Sequence, residues 1–204
     1  MADLPPTRWA LAGGGARGYS TRFAQLAADG ADIVGEGRLA DTLVGRGARI
    51  LDVGSGMGRI AAYLLGRGHS VLGAEPDPVL VEQSRRTYPD LEVIQQEILA
   101  LSPAELGSFD LLVCVGNVMA YVAEDTEVDC LVRMRELLAE GGRILVGFHL
   151  RQGPSTARVY APEDFVRDVE AAGLVVQHRF GGYDLRPADD EYAVWVLAAG
   201  KFTG

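Results

Sequence analysis

Residues 50–59 read Ile-Leu-Asp-Val-Gly-Ser-Gly-Met-Gly-Arg, a short apolar run that passes directly into a glycine-rich loop. Apolar residues at helical spacing, Ala61, Ala62, Leu64 and Leu65, follow the loop. A strand, a glycine loop and a helix in that order are typical of a parallel α/β sheet, in which ligands bind at the carboxyl ends of the strands. We therefore expect a buried strand at residues 49–54 and a ligand site at its carboxyl end.

The rest of the chain repeats this alternation of short apolar runs and helical patterns. It predicts one α/β domain of doubly wound form. The expected strands cover residues 49–54, 70–75, 91–96, 109–116, 143–149, 175–180 and 192–199. The expected helices cover residues 79–88, 128–138, where Gly141 and Gly142 would stop the helix, and 165–172.

The N-terminal segment has a different composition, because residues 1–46 are rich in Ala, Gly and Arg and carry only weak helical periodicity around Phe23 and Leu26. A segment of this length is too short for a domain. We expect a short helical lid at residues 1–46 over a binding domain at residues 47–204.

Charge and composition restrict the partners. The 204 residues carry a net charge of −9, which disfavours nucleic acid, whose binding needs clustered basic residues. No apolar run is long enough for a membrane span, and the acidic N-terminus does not resemble a secretory signal, so we expect a cytoplasmic protein. Cys114 and Cys130 lack metal-ligand spacing, and we expect two buried thiols and no metal. The expected partner is a small molecule, and we expect a monomer or a homodimer.

A second glycine-rich stretch competes with the first. Residues 13–18 fit G-x-G-x-x-G and resemble the oxyanion loop of patatin-like lipid hydrolases. Such hydrolases need a G-x-S-x-G nucleophile elbow, which the sequence lacks. No βαβ unit follows these residues either, which disfavours nucleotide binding. We interpret them as a turn, and contact with a ligand stays open.

The spacing in residues 50–59 bears on the ligand. A dinucleotide fingerprint needs a glycine where Arg59 stands, and Gly58 comes one place early. Asp52 would also repel a pyrophosphate at the helix N-terminus. A ligand that carries an ammonium and a sulfonium group would instead be attracted by this carboxylate.

This stretch resembles the first motif of class I S-adenosylmethionine-dependent methyltransferases, and further motifs follow in order. They are Leu-Gly-Ala-Glu-Pro-Asp-Pro at residues 72–78, Gln-Gln-Glu-Ile-Leu at 95–99, the apolar run at 109–117 and the stretch at 137–146. The resemblance covers residues 47–201. It implies a Rossmann-like seven-stranded sheet with an antiparallel final strand, S-adenosylmethionine as cofactor and S-adenosylhomocysteine as product.

The resemblance also implies roles for single residues. Glu75 would accept hydrogen bonds from both ribose hydroxyls, Glu97 would accept one from the adenine amino group, and Ile98 would contact the ring. Glu97 departs from the Asp that is usual in the family. The implied cofactor-binding set is Asp52, Gly54, Ser55, Gly56, Gly58, Glu75, Pro76, Glu97, Ile98, Val115, Gly116 and Asn117.

These positions also have structural interpretations. The glycine loop can serve only as a tight turn, and Asp52, Glu75, Glu97 or Asn117 can cap a following helix.

The acceptor side is less defined. A hydroxyl acceptor benefits from a general base, and His149 ends the fifth strand at the ligand-binding edge. His69 is expected to be exposed in a turn, and Tyr19, Arg22 and Tyr121 are candidate substrate-binding residues. Paired prolines, seen in methyltransferases that act on planar amines, are absent after the fourth strand.

We therefore expect methyl transfer to an oxygen or nitrogen atom of a small molecule. The alternative is a cofactor-binding protein of the same fold that does not transfer methyl groups or that uses the sulfonium for another reaction.

Overall fold

A seven-stranded sheet lies at the centre of the computed structural model, which describes residues 4–13, 25–26, 28–151 and 156–200. The strand order is β3-β2-β1-β4-β5-β7-β6, and β7 runs antiparallel to both of its neighbours. This arrangement confirms the predicted fold class. The strands are β1 Arg49–Val53, β2 Ser70–Ala74, β3 Glu92–Ile94, β4 Phe109–Cys114, β5 Leu138–His149, β6 Leu174–Phe180 and β7 Tyr192–Ala199.

Helices cover both faces of the sheet. Leu39, Ile60 and Val81 pack on one face, and Leu131 and Phe165 pack on the other. Burial of these two apolar layers is the main force that holds such a sheet together. The helices are α1 Arg8–Leu11, α2 Gly35–Thr42, α3 Arg59–Gly66, α4 Pro78–Thr87, α5 Pro103–Leu106, α6 Val118–Tyr121, α7 Glu127–Glu136 and α8 Pro162–Ala171, with a 3₁₀ turn at Ile98–Ala100.

The prediction was wrong at the junction of α7 and β5. The helix ends at Glu136, and Gly141 and Gly142 lie inside the strand instead of stopping the helix. The cause is pairing with β4, since the Phe109 amide donates to the Leu137 carbonyl at 2.8 Å and draws the chain out of the helix. Strand β5 therefore begins at Leu138, five residues before the predicted start.

Smaller differences concern strand ends and one histidine. Strand β3 has only three residues, and β1, β2 and β4 stop one or two residues before their predicted ends. His69 is buried rather than exposed, because its Nε2 lies 2.9 Å from the Asp41 Oδ1 at the end of α2. Cys114 and Cys130 are buried free thiols, as predicted.

Several predictions fall on undescribed residues. Tyr19 and Arg22 lie outside the described residues, as do most of the glycine stretch at 13–18 and Phe23. Within the described ranges, no helix has the length and apolar character that a membrane span requires. The same ranges contain no cluster of potential metal ligands.

Candidate cofactor-binding site

The glycine loop connects β1 to α3 and is fixed from below by β2. Gly54, Gly56 and Gly58 have φ angles of 69°, 56° and 80°, in the left-handed region that other residues rarely adopt. The amides of Gly54 and Ser55 both donate to the Ala74 carbonyl, at 2.8 and 3.1 Å. These two hydrogen bonds therefore attach the start of the glycine loop to the last residue of β2.

Glu75 connects this loop to the end of β2. It is only 5% exposed, its Oε2 accepts from the Gly56 amide at 2.9 Å, and its Oε1 accepts from the Asp77 amide at 2.9 Å. Burial raises the pKa of Glu75, and the two amide donors oppose that rise. Each carboxylate oxygen keeps a second lone pair, which is available to a further donor.

Asp52 lies under the same loop. It is 3% exposed, and its Oδ2 accepts from the Ala61 amide at 3.1 Å. Burial raises the pKa of Asp52 to about 7, although the positive charge of Arg59 opposes the rise. A ligand that brings positive charge would favour the ionised form of this carboxyl group.

A pocket opens beside Asp52, and its walls come from the loops after β1 and β4. Arg59 contributes a cation to this pocket, and its two terminal guanidinium nitrogens, Nη1 and Nη2, donate to the Glu36 carboxylate at 3.1 and 2.9 Å. Two carboxyl groups, Asp52 and Glu36, therefore surround the single guanidinium of Arg59 at this pocket. The lining residues are Asp52, Gly54, Ser55, Met57, Arg59, Ile60, Val115 and Gly116.

The residues that were predicted to bind adenine make contacts within the fold itself. The Glu97 Oε2 accepts from the Leu99 amide at 3.1 Å and caps the 3₁₀ turn. Ile98 is buried in the core, 7% exposed, and Pro76 is half-buried between Glu75 and Asp77. Ser55 also packs inward, since its Oγ lies 2.9 Å from the place where a Cβ on Gly73 would stand.

Asn117 joins the loop after β4 to the end of β5. Its φ of 75° places it in the left-handed region, and its side chain makes no cap hydrogen bond to α6. Instead the Asn117 Oδ1 accepts from the His149 amide at 2.8 Å, and its own amide donates to the Gly147 carbonyl at 3.0 Å. Asn117 therefore fixes the backbone that carries the candidate base.

His149 is exposed at the carboxyl end of β5. Its ring stands edge-to-face against Tyr192, the residue opposite it in β7, with centroids 4.8 Å apart. Tyr121 is half-buried in α6, and its ring packs edge-to-face against the Trp9 ring, with centroids 5.6 Å apart. Desolvation raises the pKa of Tyr121.

Two tyrosines that sequence reasoning missed lie beside these groups. The hydroxyls of Tyr183 and Tyr192 are 2.8 Å apart, and a backbone hydrogen bond from Gly116 also reaches Tyr183. Burial raises the pKa of Tyr183 well above its usual value. A Cβ on Gly147 would stand 2.0 Å from the Tyr183 hydroxyl, so the missing side chain makes room for the phenol. In the sequence, a glycine inside the apolar run 144–148 could have indicated that another side chain packs there. Nothing in the sequence near Tyr183 indicated that it packs against Gly147.

Comparisons with known proteins agree with this geometry. Residues 50–142 match the family described as "Methyltransferase domain". No curated protein matches the chain.

Solved structures of similar fold include three methyltransferases. A TehB-like SAM-dependent methyltransferase from Corynebacterium glutamicum is 35% identical over 90% of this chain and 97% of its own, with a TM-score of 0.81. The CcbJ methyltransferase from Streptomyces caelestis is 18% identical over 81% and 89%, with a TM-score of 0.73. A 1,6-didemethyltoxoflavin-N1-methyltransferase from Burkholderia thailandensis, solved with S-adenosylhomocysteine, is 19% identical over 89% and 87%, with a TM-score of 0.64. The chain belongs to the class I S-adenosylmethionine-dependent methyltransferases, and S-adenosylmethionine is its cofactor.

Proposed function

We propose that this protein transfers the methyl group of S-adenosylmethionine to an oxygen or nitrogen atom of a small molecule. The observation that carries the proposal is the pair of buried carboxylates, Asp52 and Glu75, on either side of the glycine loop. A cationic ligand with vicinal hydroxyls matches this pair, because one carboxylate attracts its charge and the other accepts hydrogen bonds from its hydroxyls.

The residues present fit the cofactor. Two carboxyl groups, Asp52 in the pocket and Glu36 beside it, face the one guanidinium of Arg59, and this acidic balance favours positive rather than phosphate-bearing ligands. Glu75 would hold the ribose hydroxyls on its remaining lone pairs, and the Gly116 backbone would line the methionine end. When bound, S-adenosylmethionine supplies a methyl group on a sulfonium that is open to in-line attack.

The chain's own contribution to the transfer is alignment and, for a hydroxyl acceptor, removal of a proton. His149 lies at the exposed end of β5 and would take that proton on its ring. Asn117 holds the His149 backbone, and the Tyr192 ring packs edge-to-face against the His149 ring. Tyr121 and Tyr192 offer aromatic surface on which a flat or apolar acceptor would pack.

A small acceptor also agrees with the charge. At −9, the protein would repel the phosphate backbone of nucleic acids. The similar methyltransferase from Burkholderia thailandensis is named for a small molecule, 1,6-didemethyltoxoflavin.

The test is transfer of labelled methyl groups from S-adenosylmethionine to a panel of small phenols, alcohols, carboxylic acids and amines, with mixed nucleic acid and denatured protein as comparison acceptors. We expect label on at least one small acceptor class and none on the macromolecules. Label on nucleic acid or protein alone would contradict the proposal. Tight cofactor binding with no transfer to any acceptor would favour the alternative of a binding protein.

A further inference from the structure

Helix α1 contacts the segments on either side of the glycine loop through Trp9. The Trp9 Nε1 donates to the Asp77 Oδ2 at 3.0 Å, and its ring packs edge-on against Tyr121 at 5.6 Å. Asp77 follows β2, Tyr121 follows β4, and β1 lies between these strands in the sheet. Trp9 therefore joins the segments that follow the two neighbours of β1 in the sheet.

Asp77 uses three of its polar groups at once. Its Oδ2 accepts from Trp9, its Oδ1 accepts from the Val79 amide at 2.9 Å, and its own amide donates to the Glu75 Oε1 at 2.9 Å. Glu75 in turn accepts from the Gly56 amide. A continuous series of hydrogen bonds thus runs from the N-terminal helix to the glycine loop.

Arg8 anchors the helix that carries Trp9. The Arg8 Nη1 donates to the Val122 carbonyl at 2.9 Å and to the Glu127 Oε1 at 3.0 Å. The Glu127 side chain is only 6% exposed and also pairs with Arg158 at 2.9 Å. A buried carboxylate with two guanidinium partners is costly to separate from either of them, so α1 is held in a defined place.

We infer that Trp9 is a positioning residue for the cofactor: its indole N–H holds Asp77 beside Glu75, so that docking of α1 and binding of the cofactor favour one another. The inference rests on the proposed contact between Glu75 and the cofactor. A ligand that binds Glu75 also favours the Asp77 position to which Trp9 bonds, and such coupling is reciprocal. Trp9 itself need not touch the reacting atoms.

The test is calorimetric titration of S-adenosylhomocysteine into the full chain and three variants. Trp9→Phe keeps an aromatic ring against Tyr121 and removes the donor. Asp77→Asn keeps an Oδ1 acceptor for Val79 and replaces the acceptor of the indole N–H. Leu11→Ala is the matched control, since Leu11 is 67% exposed on the same helix.

We expect Trp9→Phe and Asp77→Asn each to weaken binding by about 3- to 10-fold, the usual range for one lost hydrogen bond. The double variant should be no weaker than the weaker single variant, because both changes break the same bond. Leu11→Ala should bind as the wild type does. Thermal unfolding of each variant shows whether the fold is retained.

A role through Glu75 also predicts that Trp9→Phe has no further effect on binding in a Glu75→Ala background, which a merely structural role would not produce. Wild-type affinity in Trp9→Phe, or effects that add in full, would overturn the inference and leave the proposed function standing. Wild-type affinity in Glu75→Ala would overturn both.

Discussion

The backbone amide of Gly56 donates to the Oε2 of Glu75 over 2.9 Å, and this bond joins the loop after β1 to the end of β2. Both groups are buried, so the bond exchanges little with water. The carboxylate is thereby held in one place before a ligand arrives. Such preorganisation lowers the entropy cost of binding.

The pH dependence of stability tests the environment of Asp52. Its pKa is about 7 in the fold and about 3.9 in an unfolded chain. Because the folded pKa is the higher one, the stabilising contribution is complete below about pH 4 and is lost as pH rises through 7. The loss is at most about 4 kcal/mol. We therefore expect the free energy of unfolding of Asp52→Asn, measured in urea relative to that of the wild type, to be higher at pH 8 than at pH 5. An equal difference at the two pH values would contradict a raised pKa for the buried Asp52 carboxyl.

Gly56→Val tests the conformation of the loop. At a φ of 56°, a β-branched side chain is strained and pushes the amide away from Glu75. We expect loss of S-adenosylhomocysteine binding with the sheet intact by circular dichroism. Gly66→Ala, at a position with nothing within 4 Å of the added Cβ, is the control and should bind normally. A Gly56→Val protein with normal affinity would place the cofactor elsewhere.

His149→Ala separates chemistry from cofactor binding. With a hydroxyl acceptor, the loss of a general base should slow turnover by about 10²- to 10⁴-fold, while the affinity for S-adenosylhomocysteine stays nearly unchanged. His178→Ala, an exposed change in β6, should affect neither quantity. Unaltered turnover in His149→Ala would leave alignment as the catalytic device and shift the expected acceptor toward a neutral amine.

Glu127→Gln tests the anchor of α1. The change leaves Arg8 and Arg158 without their shared carboxylate, and we expect a loss of at least about 1 kcal/mol in the free energy of unfolding, below the 3–5 kcal/mol of fully buried pairs. Glu82→Gln breaks an exposed pair with Arg86 and should cost no more than about 0.5 kcal/mol. Equal stability of the two variants in denaturant unfolding would show that Glu127 is no anchor.

The sequence predicted what depends on local pattern. Alternating apolar runs located the strands, and the acids Asp52 and Glu75 lie beside the glycine loop as expected, because carboxyl ends of parallel strands meet at one edge. Their contact with the cofactor stays a prediction. The start of β5 was missed since residues 137–140 carry helical signals, which pairing with Phe109 overrides. Local sequence rules do not anticipate such tertiary contacts.

Contacts between segments that are distant in the sequence could not be predicted either. Trp9 and Asp77 are separated by 68 positions, and neither residue type signals the other. Tyr183 lies in irregular chain after β6, where no periodicity indicates which way a side chain points. The roles of Glu97 as a cap and of Asn117 as a support for β5 likewise depend on backbone geometry that residue type alone does not specify.

The most direct test of the account is calorimetry of S-adenosylhomocysteine with the wild type and with Glu75→Ala. For the wild type we predict a dissociation constant in the micromolar range or below, which corresponds to a binding free energy of about −7 to −9 kcal/mol. NADH should show no measurable binding. In Glu75→Ala the affinity for S-adenosylhomocysteine should be lower by about 10- to 100-fold, because charge-assisted hydrogen bonds to the ribose are lost. Tight NADH binding without S-adenosylhomocysteine binding, or a Glu75→Ala protein that binds S-adenosylhomocysteine as the wild type does, would contradict the account.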